Sequence, residues 1–143
     1  MKTLRLLAIV PTALAMSLVF TEANLAQTPE IKINRNFQPD PLILNGKSGG
    51  TVKSNCGNIT TEPNQVIQVT ESLPYLRLTV ESQGKPTLLI DGPGGRFCVL
   101  ADSYSGGKSE QSGYWQAGKY SLYVGELSKR EYSYTLSISQ KNK

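Results

Sequence analysis

The chain has 143 residues, with 15 Lys and Arg against 11 Asp and Glu for a net charge of +4, two cysteines and no histidine. The missing histidine excludes Ser-His-Asp and Cys-His nucleophile activation, and with them the commonest first-row metal ligand. The basic residues are scattered instead of gathered on one element, which describes a soluble surface and not a stripe for phosphates, so nucleic acid is not an expected partner.

Residues 1–26 read as a secretory signal peptide of bacterial appearance. Lys2 and Arg5 precede an apolar run from Leu6 to Phe20 that is short for a membrane span and is interrupted by Pro11. Cleavage is expected after Ala26, with Ala23 the rival site, leaving the protein secreted or periplasmic. A mature chain of roughly 117 residues makes one domain, buries about two-thirds of the surface its unfolded form exposes, and contains no later membrane span.

Residues 27–48 hold three prolines among short apolar pieces and read as an N-terminal arm with one edge strand near Leu42 to Leu44. Gly46-Lys47-Ser48 is similar to the end of a phosphate-binding loop, but Pro41 stands where that loop needs glycine, so the fragment reads as a turn.

From residue 49 to residue 143 the texture is that of a sheet domain. Runs rich in Val, Ile, Leu, Thr and Tyr are bounded by Gly, Pro, Asn and Ser, and none shows a helical period. About eight strands are predicted: Thr51 to Ser54, Val66 to Thr70, Tyr75 to Glu81, Thr87 to Asp91, Arg96 to Ala101, Gly113 to Gln116, Lys119 to Gly125 and Tyr132 to Ser139. Alternation turns Leu76, Leu78 and Val80 inward, and likewise Tyr120, Leu122 and Val124, and Tyr132, Tyr134, Leu136 and Ile138. Asp91-Gly-Pro-Gly-Gly95 is a hairpin turn. The expected product is all-β, an antiparallel β-sandwich.

In an oxidising compartment Cys56 and Cys98 are expected to form one disulfide, worth about 4 kcal/mol by the chain-entropy argument. Asn58-Ile59-Thr60 fits the glycosylation pattern and is set aside because the leader looks bacterial.

Catalytic patterns are sparse. Ser105-Gly-Gly-Lys108 matches a Ser-x-x-Lys spacing but lies in a glycine loop, not at a helix start. Asp91 and Asp102 flank a predicted strand and should stand about 20 Å apart, too far to share one reaction. Calcium is the one metal considered, with Asp102 as its ligand in the loop Ala101 to Glu110. There Tyr104 and Gly106 replace oxygen ligands and Gly113 replaces the closing Glu, so Asp102 reads first as a turn former and no cofactor is expected.

The aromatics offer a recognition surface instead. Tyr114 and Trp115 are neighbours on one strand and must face opposite ways, and Tyr104, Trp115 and Tyr123 are the candidate ligand contacts.

Taken together, Pro86-Thr-Leu-Leu-Ile-Asp-Gly-Pro-Gly-Gly95, Ala101-Asp-Ser, Ser105-Gly-Gly107, Trp115-Gln-Ala-Gly-Lys-Tyr120, Tyr123-Val-Gly125 and Tyr134-Thr-Leu-Ser-Ile138 resemble the bacterial pre-peptidase C-terminal domain over about Gly50 to Gln140. Asn64-Gln65 departs from it where an acidic residue is often found. The resemblance implies a jelly-roll-like sandwich of the kind that trails exported enzymes and aids secretion or binds matrix and carbohydrate. The combined reading is a stand-alone, non-enzymatic exported module for a surface polysaccharide or a protein partner of the envelope. Its rival is a structural envelope protein with no soluble ligand, held through its basic surface.

Overall fold

The computed structural model describes residues 28–104 and 106–142; the expected signal peptide and Ser105 lie outside them. Among the described residues eleven strands form, the eight expected after residue 48, the edge strand expected near Leu42, and two that were not expected, the first and the fourth: β1 (Glu30–Ile33), β2 (Leu42–Lys47), β3 (Val52–Ser54), β4 (Gly57–Ile59), β5 (Gln65–Val69), β6 (Leu73–Ser82), β7 (Pro86–Gly92), β8 (Gly95–Leu100), β9 (Ser109–Trp115), β10 (Gly118–Glu126) and β11 (Ser133–Ser139). Among the described residues there is no helix. One sheet runs β1-β5-β10-β4-β3, with β7 on β10 and β8 on β7; the other runs β2-β11-β6-β9. The two form the expected sandwich, antiparallel except where β1 runs parallel to β5.

The core follows from the alternation. Leu76, Leu78 and Val80 from β6, Leu122 and Val124 from β10, and Leu136 and Ile138 from β11 are fully buried, and Tyr120 and Tyr134 nearly so. At roughly 1.5–3 kcal/mol for each large apolar side chain removed from water, this layer is the main driving force for the fold. Tyr132 is only half-buried, because it lies just ahead of β11.

The segment expected to be an arm supplies an edge strand to each sheet. Ile33 is buried beside β5, Phe37 closes over the core, and β2 pairs with β11 from Leu42↔Ile138 to Lys47↔Ser133. Prolines flank both strands without lying inside them, as edge strands permit. Gly46 and Lys47 are therefore strand residues and not a turn; a Cβ at Gly46 would press on the Tyr134 ring at 2.6–2.8 Å.

Strand β7 shows no alternation because both its faces are covered. Leu88 and Ile90 enter the main core, while Leu89 packs outside with Cys56, Ile59, Cys98 and Tyr123. The Cys56–Cys98 disulfide forms there, with Cα atoms 5.5 Å apart, and the Thr87 hydroxyl donates to the Cys56 carbonyl at 2.6 Å.

Asn64 bridges a gap in the ladder of β10, whose pairing with β5 stops at Leu122 and whose pairing with β4 comes at Glu126. Between those points the Asn64 N–H donates to the Leu122 carbonyl (2.9 Å), its side-chain oxygen accepts from the Val124 N–H (2.8 Å), and its side-chain NH2 donates to the Lys47 carbonyl (3.2 Å). An ionised carboxylate could not make the last bond, which gives the departure at this position a structural role.

Candidate functional site

Strands β8 and β9 are edge strands of opposite sheets and lie side by side. Between them is a cleft of about 190 Å³, lined by Phe97, Gln111, Tyr114, Trp115, Gln116 and Tyr120 beneath the Gly94-Gly95 hairpin tip. Phe97 shares its strand face with Val99, which packs on the core. One step nearer the hairpin the cover is incomplete, and 44% of Phe97 remains exposed. Tyr114 is 67% exposed at the rim, whereas Trp115 is 5% exposed and forms the floor with Tyr120.

The walls are pre-organised. The Trp115 and Tyr120 rings meet at 4.8 Å between centroids with planes tilted by 58°, an arrangement aromatic quadrupoles favour. The Tyr120 hydroxyl donates to the Gln116 carbonyl at 2.7 Å, fixing the turn into β10. The hairpin tip rests on this pair: a Cβ at Gly92 would overlap the Tyr120 ring, and one at Gly118, whose φ is +148°, would overlap Pro93. Burial pushes the Tyr120 phenol above the ordinary tyrosine value of 10.0, and Tyr114 close by adds to the shift. None of the residues lining the cleft carries a charge at neutral pH.

Of the three contact residues expected from sequence, Trp115 is placed at the floor of the cleft and not on an exposed face. The strand's inward parity falls on Trp115, so its neighbour Tyr114 is the exposed member. Tyr123 is half-buried against the disulfide cluster, with the Arg96 guanidinium 5.8 Å from its ring centre. Tyr104 is fully exposed and lines a different feature, a polar depression on the outer face of the four-stranded sheet with Arg77, Thr79, Glu81 and Lys108. That face matches its own charges, through Lys108–Glu81 at 3.0 Å and Arg77–Glu110 at 3.8 Å. Phe97 was not singled out from sequence; its available signal was position, just after a glycine-rich hairpin where a sheet corner leaves an inward residue uncovered.

Asp102 is exposed and closes its loop through the backbone, its carbonyl accepting from the Gly107 N–H at 2.9 Å. Among the described residues no three His, Cys, Asp or Glu side chains gather as ligands, and the nearby Glu81 and Glu110 are paired with cations. Asp91 pairs with Arg96 at 3.7 Å, at the hairpin end of β8, while Asp102 lies beyond its other end. Asn58 sits in β4 with its side-chain NH2 on the Glu126 and Ser128 carbonyls.

The sandwich has counterparts among solved structures. In fold it is similar to the pre-peptidase C-terminal domain of a collagenase from Bacillus anthracis, with a TM-score of 0.52 and 15% identity over 78% of this chain and 96% of that one. PliG of Aeromonas hydrophila, a periplasmic inhibitor of g-type lysozyme, superposes with a TM-score of 0.43 at 12% identity, over 77% of this chain and 96% of PliG. No family model matches. The chain belongs to the family of an uncharacterised protein of Synechococcus elongatus, to which it is 38% identical over 121 residues, 81% of this chain and 86% of that protein. Among the described residues no helix is long and apolar enough to cross a membrane.

Proposed function

We propose that the protein is a non-catalytic, exported binding module, secreted or periplasmic, that holds a surface polysaccharide or an envelope protein in the aromatic cleft between β8 and β9. The observation carrying this reading is the cleft itself. Two exposed rings, Phe97 and Tyr114, stand over a buried pair, Trp115 and Tyr120, in a concavity closed on one side by the hairpin tip. Exposed aromatics over a rigid apolar floor, with a few polar groups, are the usual composition of a recognition pocket. A non-catalytic role is supported by the lack of histidine and by acidic side chains held in ion pairs, none of which lines the cleft.

The test uses the mature chain, immobilised, against soluble envelope polysaccharides and envelope proteins, with a Phe97→Ala/Tyr114→Ala double variant in parallel. Capture by the parent and loss in the variant is expected. Equal capture by both, or saturable turnover of any trial substrate, contradicts the proposal.

A further inference from the structure

We infer that the cleft selects one neutral sugar ring of a longer glycan and discriminates against acidic glycans; this rests on the proposed function and specifies its ligand. Size comes first. At about 190 Å³ the cleft is smaller than the roughly 300 Å³ at which pockets for drug-sized ligands begin. It therefore takes one ring, while the rest of a polymer runs out over the open hairpin side, where a Cβ at Gly94 or Gly95 would meet nothing within 4 Å.

Chemistry narrows the ring. The Tyr114 and Phe97 faces offer apolar, electron-rich surface to a ring whose C–H bonds point to one side. Gln111 and Gln116 bring the only amide side chains of the lining, and a primary amide both donates and accepts, as a sugar hydroxyl does.

Charge decides between glycan classes. The chain as a whole is basic at +4 and would draw acidic polymers to its surface. Yet the lining holds no cation to pair with a carboxylate or sulfate, and burying an unpaired charge against aromatic walls is costly. The cleft thus opposes the long-range field, and binding in it is insensitive to salt, unlike surface attraction.

The chain has one tryptophan, Trp115, at the cleft floor, so its fluorescence reports this site. The mature protein is titrated with cellohexaose, maltohexaose and the hexamer of N-acetylglucosamine, and separately with hexagalacturonic acid, at low and high salt. A saturable change with at least one neutral hexamer, unaffected by salt and weakened about tenfold or more in Tyr114→Ala, is expected. Tyr104→Ala, on the other depression, should bind as the parent does. Should Tyr114→Ala melt early, Gln111→Ala provides the second variant, with the same weakening expected.

No response to any neutral hexamer, or a stronger salt-sensitive response to hexagalacturonic acid, overturns the inference. If the parent then still captures an envelope protein through Phe97 and Tyr114, the binding module stands with a protein ligand. If nothing is captured, both fall.

Discussion

Tyr114 and Trp115 are adjacent in the chain and opposite in environment, and the difference can be measured. Truncating exposed Tyr114 to Ala should change stability by no more than about 0.5 kcal/mol while weakening binding about tenfold or more. Truncating buried Trp115 to Ala should cost about 3–5 kcal/mol, because a ring that packs on Tyr120 leaves a cavity. Denaturant midpoints of the two variants check this directly. That one of the pair faces inward was legible from strand parity; which one was not, since it depends on where β9 meets the opposing sheet.

A second expectation at this scale concerns pH. Burial raises the Tyr120 and Tyr134 phenols above 10.0, with Tyr114 adding to the shift at Tyr120. Below that value the phenols are neutral in folded and unfolded chains alike, and their contribution is fully present. As pH rises through 10.0 the unfolded chain ionises first, so it binds fewer protons than the native state and stability falls. Urea midpoints should decline above pH 10, and Tyr134→Phe should decline less steeply than the parent.

At the scale of elements, legibility followed solvent. Strands β6, β10 and β11 each bury one face and alternate visibly, so they were placed with small errors at their ends. Strand β9 begins Ser109-Glu-Gln-Ser and lies at a sheet edge with polar residues on both sides. Only its aromatic end was expected from sequence. Strands β1 and β4 are four and three residues long, too short to carry a period, and exist because long-range partners complete them.

Asn64 belongs to this scale because it completes a ladder. Asn64→Asp keeps the shape but loses the donor to the Lys47 carbonyl, and should destabilise the domain by about 1–3 kcal/mol, read from its thermal midpoint. The disulfide joins β8 to the start of β4 across a separation of 42 residues. Replacing Cys56 and Cys98 together by Ala should remove about 4 kcal/mol, seen as a large drop in denaturant midpoint without loss of β-sheet circular dichroism below the transition.

For the whole molecule, the sandwich could be read from composition and period, because alternating segments with no helical period leave few other ways to bury apolar surface. The cleft could not. It arises where the edge strands of two different sheets meet, and only packing between the sheets brings Phe97 to Tyr114. In the loop from Ala101 to Glu110, Lys108 and Glu110 are held in ion pairs beside the exposed Tyr104. On the proposed reading, one corner of the surface binds while the remainder maintains the shape of that corner.

That division is best tested by mapping backbone amide NMR shifts of the mature protein as its strongest binder from the polysaccharide and protein screen is added. Shifts confined to residues 94–97 and 111–118 are expected. Shifts centred on Tyr104 and Lys108, or spread evenly over the basic surface, would contradict a binding role for the aromatic cleft.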